Sequence, residues 1–394
     1  MSANLKENKS LLILKNRKIV GSLSRTSRGY QLKFDPSQIG QFITYNLKGT
    51  SSPLIENGVN LPAYFANLLP EGLRLKSLIK TIKTSEDDLF SLFAASGEDC
   101  IGDITTGLGL GRSLRPVKLK DANFYELFHQ SLEDSQQDSV SGVQDKISAS
   151  MISFPMMLQD HKKSYILKLN PRDEPNLVRN EYHCLKLAKA CGLKVANAKL
   201  IKDGSDNDGL LVERFDRQWS DKKKEFEMIH QEDGCQILNS YPSQKYRVSI
   251  NELAKRIVEL VPSPQLEMLS LMKTVAFSYL VGNGDLHAKN LSVFDPKLGP
   301  RQMTPAYDLI CTALYGDEKM ALKIDGFDDN LSSKLLTNFC TRFDIPLKAA
   351  QWSLDKLLQK FELQAKSAFE AITMSPKESV RIERLIKKRV ADLS

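Results

Sequence analysis

No apolar run in this 394-residue chain approaches the ~20 residues that a membrane-spanning helix needs. The opening stretch, MSANLKENKS, lacks the apolar core of a secretory signal. Cysteine pairing is also missing as a pattern. Six cysteines (Cys100, Cys184, Cys191, Cys235, Cys311, Cys340) are scattered with no C-x-x-C pair and no histidine at zinc-ligand spacing. That argues against a disulfide framework or a zinc site, and reduced, mostly buried thiols in a cytoplasmic protein are expected. Low-complexity tracts are absent, internal repeats at the period of solenoids are absent, and so is the Walker A pattern G-x-x-x-x-G-K-[ST]. What remains is a globular composition, 41% apolar and 26% charged, at a length that suits two or three domains. The net charge of +7 lies mostly at one end, where residues 1–30 hold seven basic side chains against Glu7. A solvated face is its plain reading; attraction to nucleic acid phosphates is the alternative.

The segment LLILKNRKIVGSLSRTSRGYQLKFD alternates around turn signals at Asn16 and Gly29 and predicts a small antiparallel meander. LPAYFANLLPEGLRLKSLIK predicts a helix with a proline near its start. SEDDLFSLFAASG predicts another, capped by Ser85. The glycine-spaced TGLGLGRSLRPVK breaks both periods and predicts a linker, followed by a helix over DANFYELFHQSLEDS. Strands are expected at ISASMI, SYILKLN, KLI and LLVERFD, interrupted by one helix over Glu181–Cys191 that Gly192 ends in a left-handed cap. Beyond residue 216 helices should dominate. The clearest begins at Ser263 as N-cap with Pro264 in the first helical position, and it is apolar on most faces, as a buried helix is.

That buried helix runs into GNGDLHAKN, then a strand LSVF, a turn DPKLGP, a strand RQMTPAY, and Asp308. Asp285 and Asn290 have the spacing of the protein-kinase catalytic loop, H-R-D-x-x-x-x-N. In that loop the aspartate takes the hydroxyl proton of the acceptor, while the asparagine and a later aspartate hold magnesium. Magnesium prefers oxygen ligands and keeps several waters, so a carboxylate and an amide oxygen suffice. D-x-x-x-x-N alone carries little weight, because turns and caps abound in Asp and Asn. The order of buried helix, loop, hairpin and Asp308 carries the argument. Upstream, SVSGVQDK (Ser139–Lys146) has Gly142, where backbone N–H groups could approach a phosphate, and Lys146 to add charge. Lys168 is the one charge in an apolar strand, matching the kinase lysine that pairs the α- and β-phosphates. Glu213, Arg214 and Phe215 occupy the position of a hinge that would offer backbone groups to adenine.

Together, FANLLPEG, SLFAASGEDCIGDI, SVSGVQDK, NEYHCLKLAKACGLKVANAKL, VERFDR, QEDGCQ, GNGDLHAKNLSVF and TPAYDLI resemble the HipA family of bacterial serine/threonine kinases, toxin halves of toxin–antitoxin pairs. The resemblance implies an α+β, protein-kinase-like bilobal fold with a small α/β N-terminal domain and a mostly helical C-terminal lobe. Boundaries are expected at 1–106, 107–215 and 216–394. It implies ATP and Mg2+ as cofactors, Asp285 as catalytic base, and Asn290 and Asp308 as metal ligands. A phosphate loop would comprise Ser141, Gly142, Val143, Gln144, Asp145 and Lys146, with Lys168 on phosphate. Glu213, Arg214 and Phe215 would form the hinge, and His287, Ala288, Lys289, Asn290 and Tyr307 would line the nucleotide. Autophosphorylation would fall on Ser139 or Ser141. The implied partners are a HipB-like helix-turn-helix antitoxin, operator DNA mainly through that antitoxin, and a protein substrate such as an aminoacyl-tRNA synthetase; no membrane is involved. His287 stands where ordinary kinases have a lysine two residues after the base, and Lys289 is the candidate to supply that charge. QEDGCQILNSYPSQKY matches a family stretch without an assignable chemistry.

Two rival readings use the same loop. NGDLHAKN also looks like the H-G-D-x-x-x-x-N loop of aminoglycoside and choline kinases, but the N-terminal domain argues against a small-molecule kinase. An inactive co-repressor scaffold would have no need to keep Asp285, Asn290, Asp308 and Lys168 together.

Overall fold

The computed structural model describes residues 9–34, 43–46, 54–107, 116–117, 123–131, 151–158, 162–171, 176–372 and 375–394. Strands β1 (Ser10–Lys15), β2 (Lys18–Thr26), β3 (Gly29–Phe34), β4 (Leu54–Gly58) and β5 (Ile104–Gly107) form an antiparallel sheet in the order β4-β3-β2-β1-β5. Lys15 pairs with Lys18 across the two-residue turn Asn16–Arg17. Both turn residues have positive φ (47° and 65°), the conformation whose twist suits a tight hairpin. Alternation then puts Leu11, Ile13, Leu23, Leu32 and Phe34 on one face, where they pack against Phe65, Phe90 and Phe93.

Helices α1 (Ala63–Ala66) and α3 (Leu89–Ser96) supply that cover, while α2 (Gly72–Ile82) packs on α3 and on strand Ile152–Leu158 of the second sheet. The single helix expected from residue 61 onward is broken, because Pro70 offers no N–H and disfavours helical backbone before it. The break places Glu71 at the N-cap position of α2. Ser85 does not cap α3; Asp88 does, its Oδ1 accepting from the Ser91 N–H at 3.3 Å. Most of the expected linker lies outside the described residues, and within it Pro116–Val117 forms a short strand, β6.

A second sheet has the order β6-β7-β8-β10-β9, with β7 (Ile152–Leu158), β8 (Ser164–Leu169), β9 (Ala198–Lys202) and β10 (Asp208–Glu213). Helix α4 (Phe124–Ser131) packs on β7, and α5 (Leu177–Ala190) packs on β8, β9 and β10. Helix α5 starts four residues before the expected Glu181, and Gly192 follows it at φ +88°. Beyond residue 216 the chain is less uniformly helical than expected. A hairpin, β11 (Arg217–Ser220) and β12 (Glu225–Met228), precedes β13 (Gln231–Asp233), which pairs with β14 (Ser292–Phe294). Strands β11 to β13 are three or four residues long and carry charge, so they show little periodicity. The expected strand RQMTPAY shrinks to β15 (Gln302–Met303), since Pro305 cannot donate to a ladder.

The rest of the lobe is helical: α6 (Gly234–Ile237), α7 (Ile250–Leu260), α8 (Pro264–Val281), α9 (Ser333–Thr341), α10 (Leu347–Glu370) and α11 (Pro376–Leu393). Helix α8 is buried along most of its length, from Met268 to Val281, and α7, α9, α10 and α11 surround it. Ser263 and Pro264 open it as expected, although the Ser263 hydroxyl makes no capping bond. Among the described residues no helix is long and apolar enough to cross a membrane.

Charge fastens the N-terminal sheet domain to the rest of the chain. Buried Arg214 donates to both Asp99 oxygens (2.8 and 3.0 Å), to the Cys100 carbonyl (3.0 Å) and to both Asp216 oxygens (3.0 and 2.9 Å). Arg217 and the Gly102 N–H complete the shell around Asp216. Burial would raise the Asp216 carboxyl, but Arg214 and Arg217 outweigh it and hold the group down at about 2. Arg214→Ala leaves Asp99 and Asp216 with Arg217 to offset two buried charges and should lower stability by about 3–5 kcal/mol. A shift of the urea unfolding midpoint measures it.

Candidate active site

Gly282, at φ +73°, ends α8 in the left-handed conformation and turns the chain into the loop that carries Asp285. The loop is held by its own polar groups. The Asp285 N–H donates to Asn283 Oδ1 (3.0 Å), and the Asp285 carbonyl accepts from the His287 N–H (2.8 Å) and from Asn290 Nδ2 (3.0 Å). With Nδ2 so engaged, the Asn290 amide oxygen is the atom left for a cation. Buried Asp285 accepts a hydrogen bond from the Tyr246 hydroxyl at 2.8 Å on Oδ1. The Tyr246 ring meets the His287 ring edge-on, with centroids 5.3 Å apart.

Asp308 has φ +52°, a conformation that a short polar side chain tolerates. Its carboxylate is ion-paired with Lys168 of β8. The same ammonium donates to both oxygens of buried Glu181 on α5, at 2.7 and 2.8 Å. Burial works against the Lys168 charge, yet Asp308 and Glu181 outweigh it and raise its pKa above the ordinary lysine value. Burial raises the Glu181 carboxyl, with Lys168 opposing and Asp308 adding to the rise.

These groups share one cavity of about 350 Å³, lined by Lys168, Glu181, Asp285, His287, Lys289, Asn290, Tyr307 and Asp308. Glu213, Arg214 and Phe215 also line it. The Arg214 side chain serves the domain junction, and Glu213 pairs with Lys163 at 2.7 Å. The Glu213 and Arg214 N–H groups are taken by the carbonyls of Asn197 (2.8 Å) and Ser164 (2.9 Å). Phe215 stands against Phe294 and Tyr307. The Tyr307 hydroxyl donates to the Lys289 carbonyl at 2.7 Å, and the Ala288 N–H donates to the Lys245 carbonyl at 3.1 Å. Ser139 and the phosphate-loop candidates Ser141, Gly142, Val143, Gln144, Asp145 and Lys146 lie outside the described residues.

The stretch QEDGCQILNSYPSQKY now has visible work. Gly234 admits the Ala288 carbonyl where a Cβ would come within 2.5 Å of it. Asp233 pairs with Lys289 at 3.2 Å, and Tyr246 holds Asp285. Glu71 from the N-terminal domain also reaches in, ion-paired with Lys245 and with Lys289 at 3.3 Å. Glu181, Tyr246, Glu71 and Asp233 are site residues that the sequence reading does not identify. Glu181 had a usable signal: a carboxylate on the helix that follows the Lys168 strand, as in the kinase lysine–glutamate pair.

The buried His287 ring is held neutral: burial depresses its pKa to about 4 against the opposing charge of Asp285. An unfolded chain protonates this histidine near pH 6.5. Because the folded value is lower, stability is full above about 6.5 and falls as pH drops toward 4, by about 3 kcal/mol in all. Unfolding midpoints measured from pH 7 to 4 should show this slope in the wild type, and His287→Gln should flatten it.

The two-lobed α+β arrangement, with a strand lysine and helix glutamate facing a D-x-x-x-x-N loop, is a protein-kinase-like fold. The chain matches the HipA N-terminal domain over residues 11–107 and the HipA-like C-terminal domain over residues 138–373. It is 30% identical over 298 residues to the serine/threonine-protein kinase toxin HipA of Shewanella oneidensis, covering 68% of this chain and 67% of that one. The solved complex of S. oneidensis HipA and HipB with their operator DNA contains a chain that superposes with a TM-score of 0.74 at 23% identity, over 97% of this chain and 96% of that one. The chain belongs to the HipA family.

Proposed function

We propose that this protein is an ATP- and Mg2+-dependent serine/threonine kinase, the toxin of a pair whose antitoxin is a HipB-like helix-turn-helix protein. The observation that carries this reading is the Lys168 ammonium, bound by Glu181 and Asp308 in the cavity that also holds Asp285 and Asn290. The donor set fits magnesium: a carboxylate at Asp308 and an amide oxygen at Asn290, both hard ligands, on a wall where water can complete the shell. Bound there with ATP, the ion would neutralise charge on the phosphates. Lys168 would hold the α- and β-phosphates once Asp308 turns to the ion, and Glu181 would keep the lysine in place. Asp285, fixed by Tyr246, would accept the serine proton of the substrate as the new bond to phosphorus forms. Adenine would lie along Glu213–Phe215, reading carbonyl oxygens or the Phe215 N–H, with His287, Ala288, Lys289 and Tyr307 around the nucleotide. Ser141–Lys146 would wrap its phosphates.

The same reading divides the chain at 1–106, 107–215 and 216–394 and places the protein in the cytoplasm, acting on a protein of translation such as an aminoacyl-tRNA synthetase. Operator DNA would be reached mainly through the antitoxin. Glu71 and Asn67 of the N-terminal domain line the cavity, which favours a protein acceptor over the small molecules of the aminoglycoside kinases.

Asp285→Ala should abolish transfer from labelled ATP while leaving nucleotide affinity within a few-fold, since the base acts in the transition state. Asp308→Ala should weaken both. Cells expressing the wild type alone should grow slowly, and cells expressing Asp285→Ala should grow normally. After incubation with ATP, mass spectrometry should find phosphate on Ser139 or Ser141, and none in Asp285→Ala. That phosphate, at about −1.5 to −2 charges, should repel the nucleotide and act as an off-switch. Transfer undiminished in Asp285→Ala contradicts the kinase assignment of this loop.

A further inference from the structure

A kinase must place a cation on the phosphoryl group in flight, because charge spreads over its equatorial oxygens in the transition state. The cavity wall carries several cations, and the structure divides them by what already holds them. Lys168 is held by Glu181 and Asp308, a position suited to the α- and β-phosphates. Arg214 is enclosed by Asp99 and Asp216 at the domain junction, and Arg74 of α2, the other arginine on the wall, faces Asp99 and Cys100 at that same junction. Lys289, the candidate from sequence, donates to the Asn67 carbonyl at 2.7 Å and pairs with Asp233 at 3.2 Å and Glu71 at 3.3 Å. With Asn67 Oδ1 at 3.3 Å as well, four oxygens and a buried setting make Lys289 a fastening between the catalytic loop, β13 and the N-terminal domain.

Lys245 is different. Among the described residues its ammonium has one ion-pair partner, Glu71, and it lines the cavity beside Asp285, His287 and Asn290. It is tied to the catalytic loop once through its own backbone and once through the side chain of its neighbour. The Lys245 carbonyl accepts from the Ala288 N–H at 3.1 Å, and the next residue, Tyr246, donates to Asp285 at 2.8 Å. The lysine is therefore indexed to the base, although it lies 40 positions before it. Glu71 faces the opposite constraint: it enters from α2 of another domain, at an N-cap position where it caps nothing.

Resting on the kinase reading above, we propose that Lys245 is the catalytic cation for the transferred phosphoryl group, and that Glu71 is a positioning carboxylate which holds it before nucleotide binds. In the step, the serine oxygen forms a bond to the γ-phosphorus of ATP while the bond from that phosphorus to the β,γ-bridging oxygen breaks. ADP leaves with that electron pair, and the serine proton passes to the Asp285 carboxylate. Lys245 keeps its proton throughout. Its ammonium leaves Glu71 for the phosphoryl oxygens and stabilises their charge, the kind of contact worth roughly 100-fold in turnover. Glu71 competes with the nucleotide for the same cation, so it sets ATP affinity from a domain that holds none of the other catalytic groups.

The test uses the full-length chain with ATP and Mg2+, following labelled phosphate on the chain itself and on a serine-rich acceptor protein, with ATP binding measured by calorimetry. Lys245→Met should lower kcat roughly 100-fold, and Lys245→Arg should recover at least tenfold of that loss. Glu71→Gln should tighten ATP binding severalfold, which removal of a merely structural contact would not do. The double variant Glu71→Gln/Lys245→Met separates a lost cation from an uncovered carboxylate: its kcat should stay as low as that of Lys245→Met. The proposal is overturned if Lys245→Met turns over within twofold of an active wild type, or if its turnover returns in the double variant. Unchanged or weaker ATP binding in Glu71→Gln overturns the role given to that carboxylate. Wild-type protein that binds ATP but transfers nothing overturns the kinase reading itself, and this proposal with it.

Discussion

The structure depends most on one ammonium group shared by three elements. Lys168 extends from the middle of the second sheet and is met by Glu181 from α5 and Asp308 from the segment after the β14–β15 hairpin. A lysine this deeply buried is stable as a cation only because two carboxylates face it. The sheet, its helix and the segment after the hairpin therefore cannot move apart without leaving charge uncompensated. The same requirement gives the cavity its two sides, Lys168 and Glu181 from the sheet and its helix, and Asp308 from the lobe.

A second charged junction extends this logic to the N-terminal domain. Arg214, the residue that follows β10, lies inside a shell of Asp99, Asp216 and the Cys100 carbonyl. Lys15 and Asp103 of the first sheet meet His230 beside β13, at 2.8 Å for the lysine–aspartate pair and 2.7 Å for the aspartate–histidine pair. The N-terminal domain is thus seated by two sets of buried ionic contacts, and Glu71 reaches the cavity from the same domain. Such a seat depends on geometry more than on apolar area, because a misplaced buried charge is far less tolerable than a misplaced methyl group.

The sequence made the grouping of Asp285, Asn290 and Asp308 legible because each sits in a stretch whose local order is distinctive, and they do line one cavity. Lys168 stood out as a charge in an apolar strand. Glu181 did not, because a carboxylate on an amphipathic helix looks like any solvent-facing residue until packing turns it inward. Lys245 and Tyr246 escaped because they lie in a turn far from the loop they serve, and Glu71 because it belongs to another domain. Local errors had local causes. Pro70 broke a pattern that was periodic on both sides of it, Asp88 outcompeted Ser85 as a cap, and the short charged strands β11 to β13 carried no alternation to read.

The most direct test of this account is a crystal structure of the chain with magnesium and a non-hydrolysable ATP analogue. The account requires the ion between the Asp308 carboxylate and the Asn290 amide oxygen. It also requires Lys168 on the α- and β-phosphates, and the terminal phosphate within reach of Asp285. A nucleotide bound elsewhere, or bound here with Asp308 still on Lys168 and no ion beside Asn290, would contradict it.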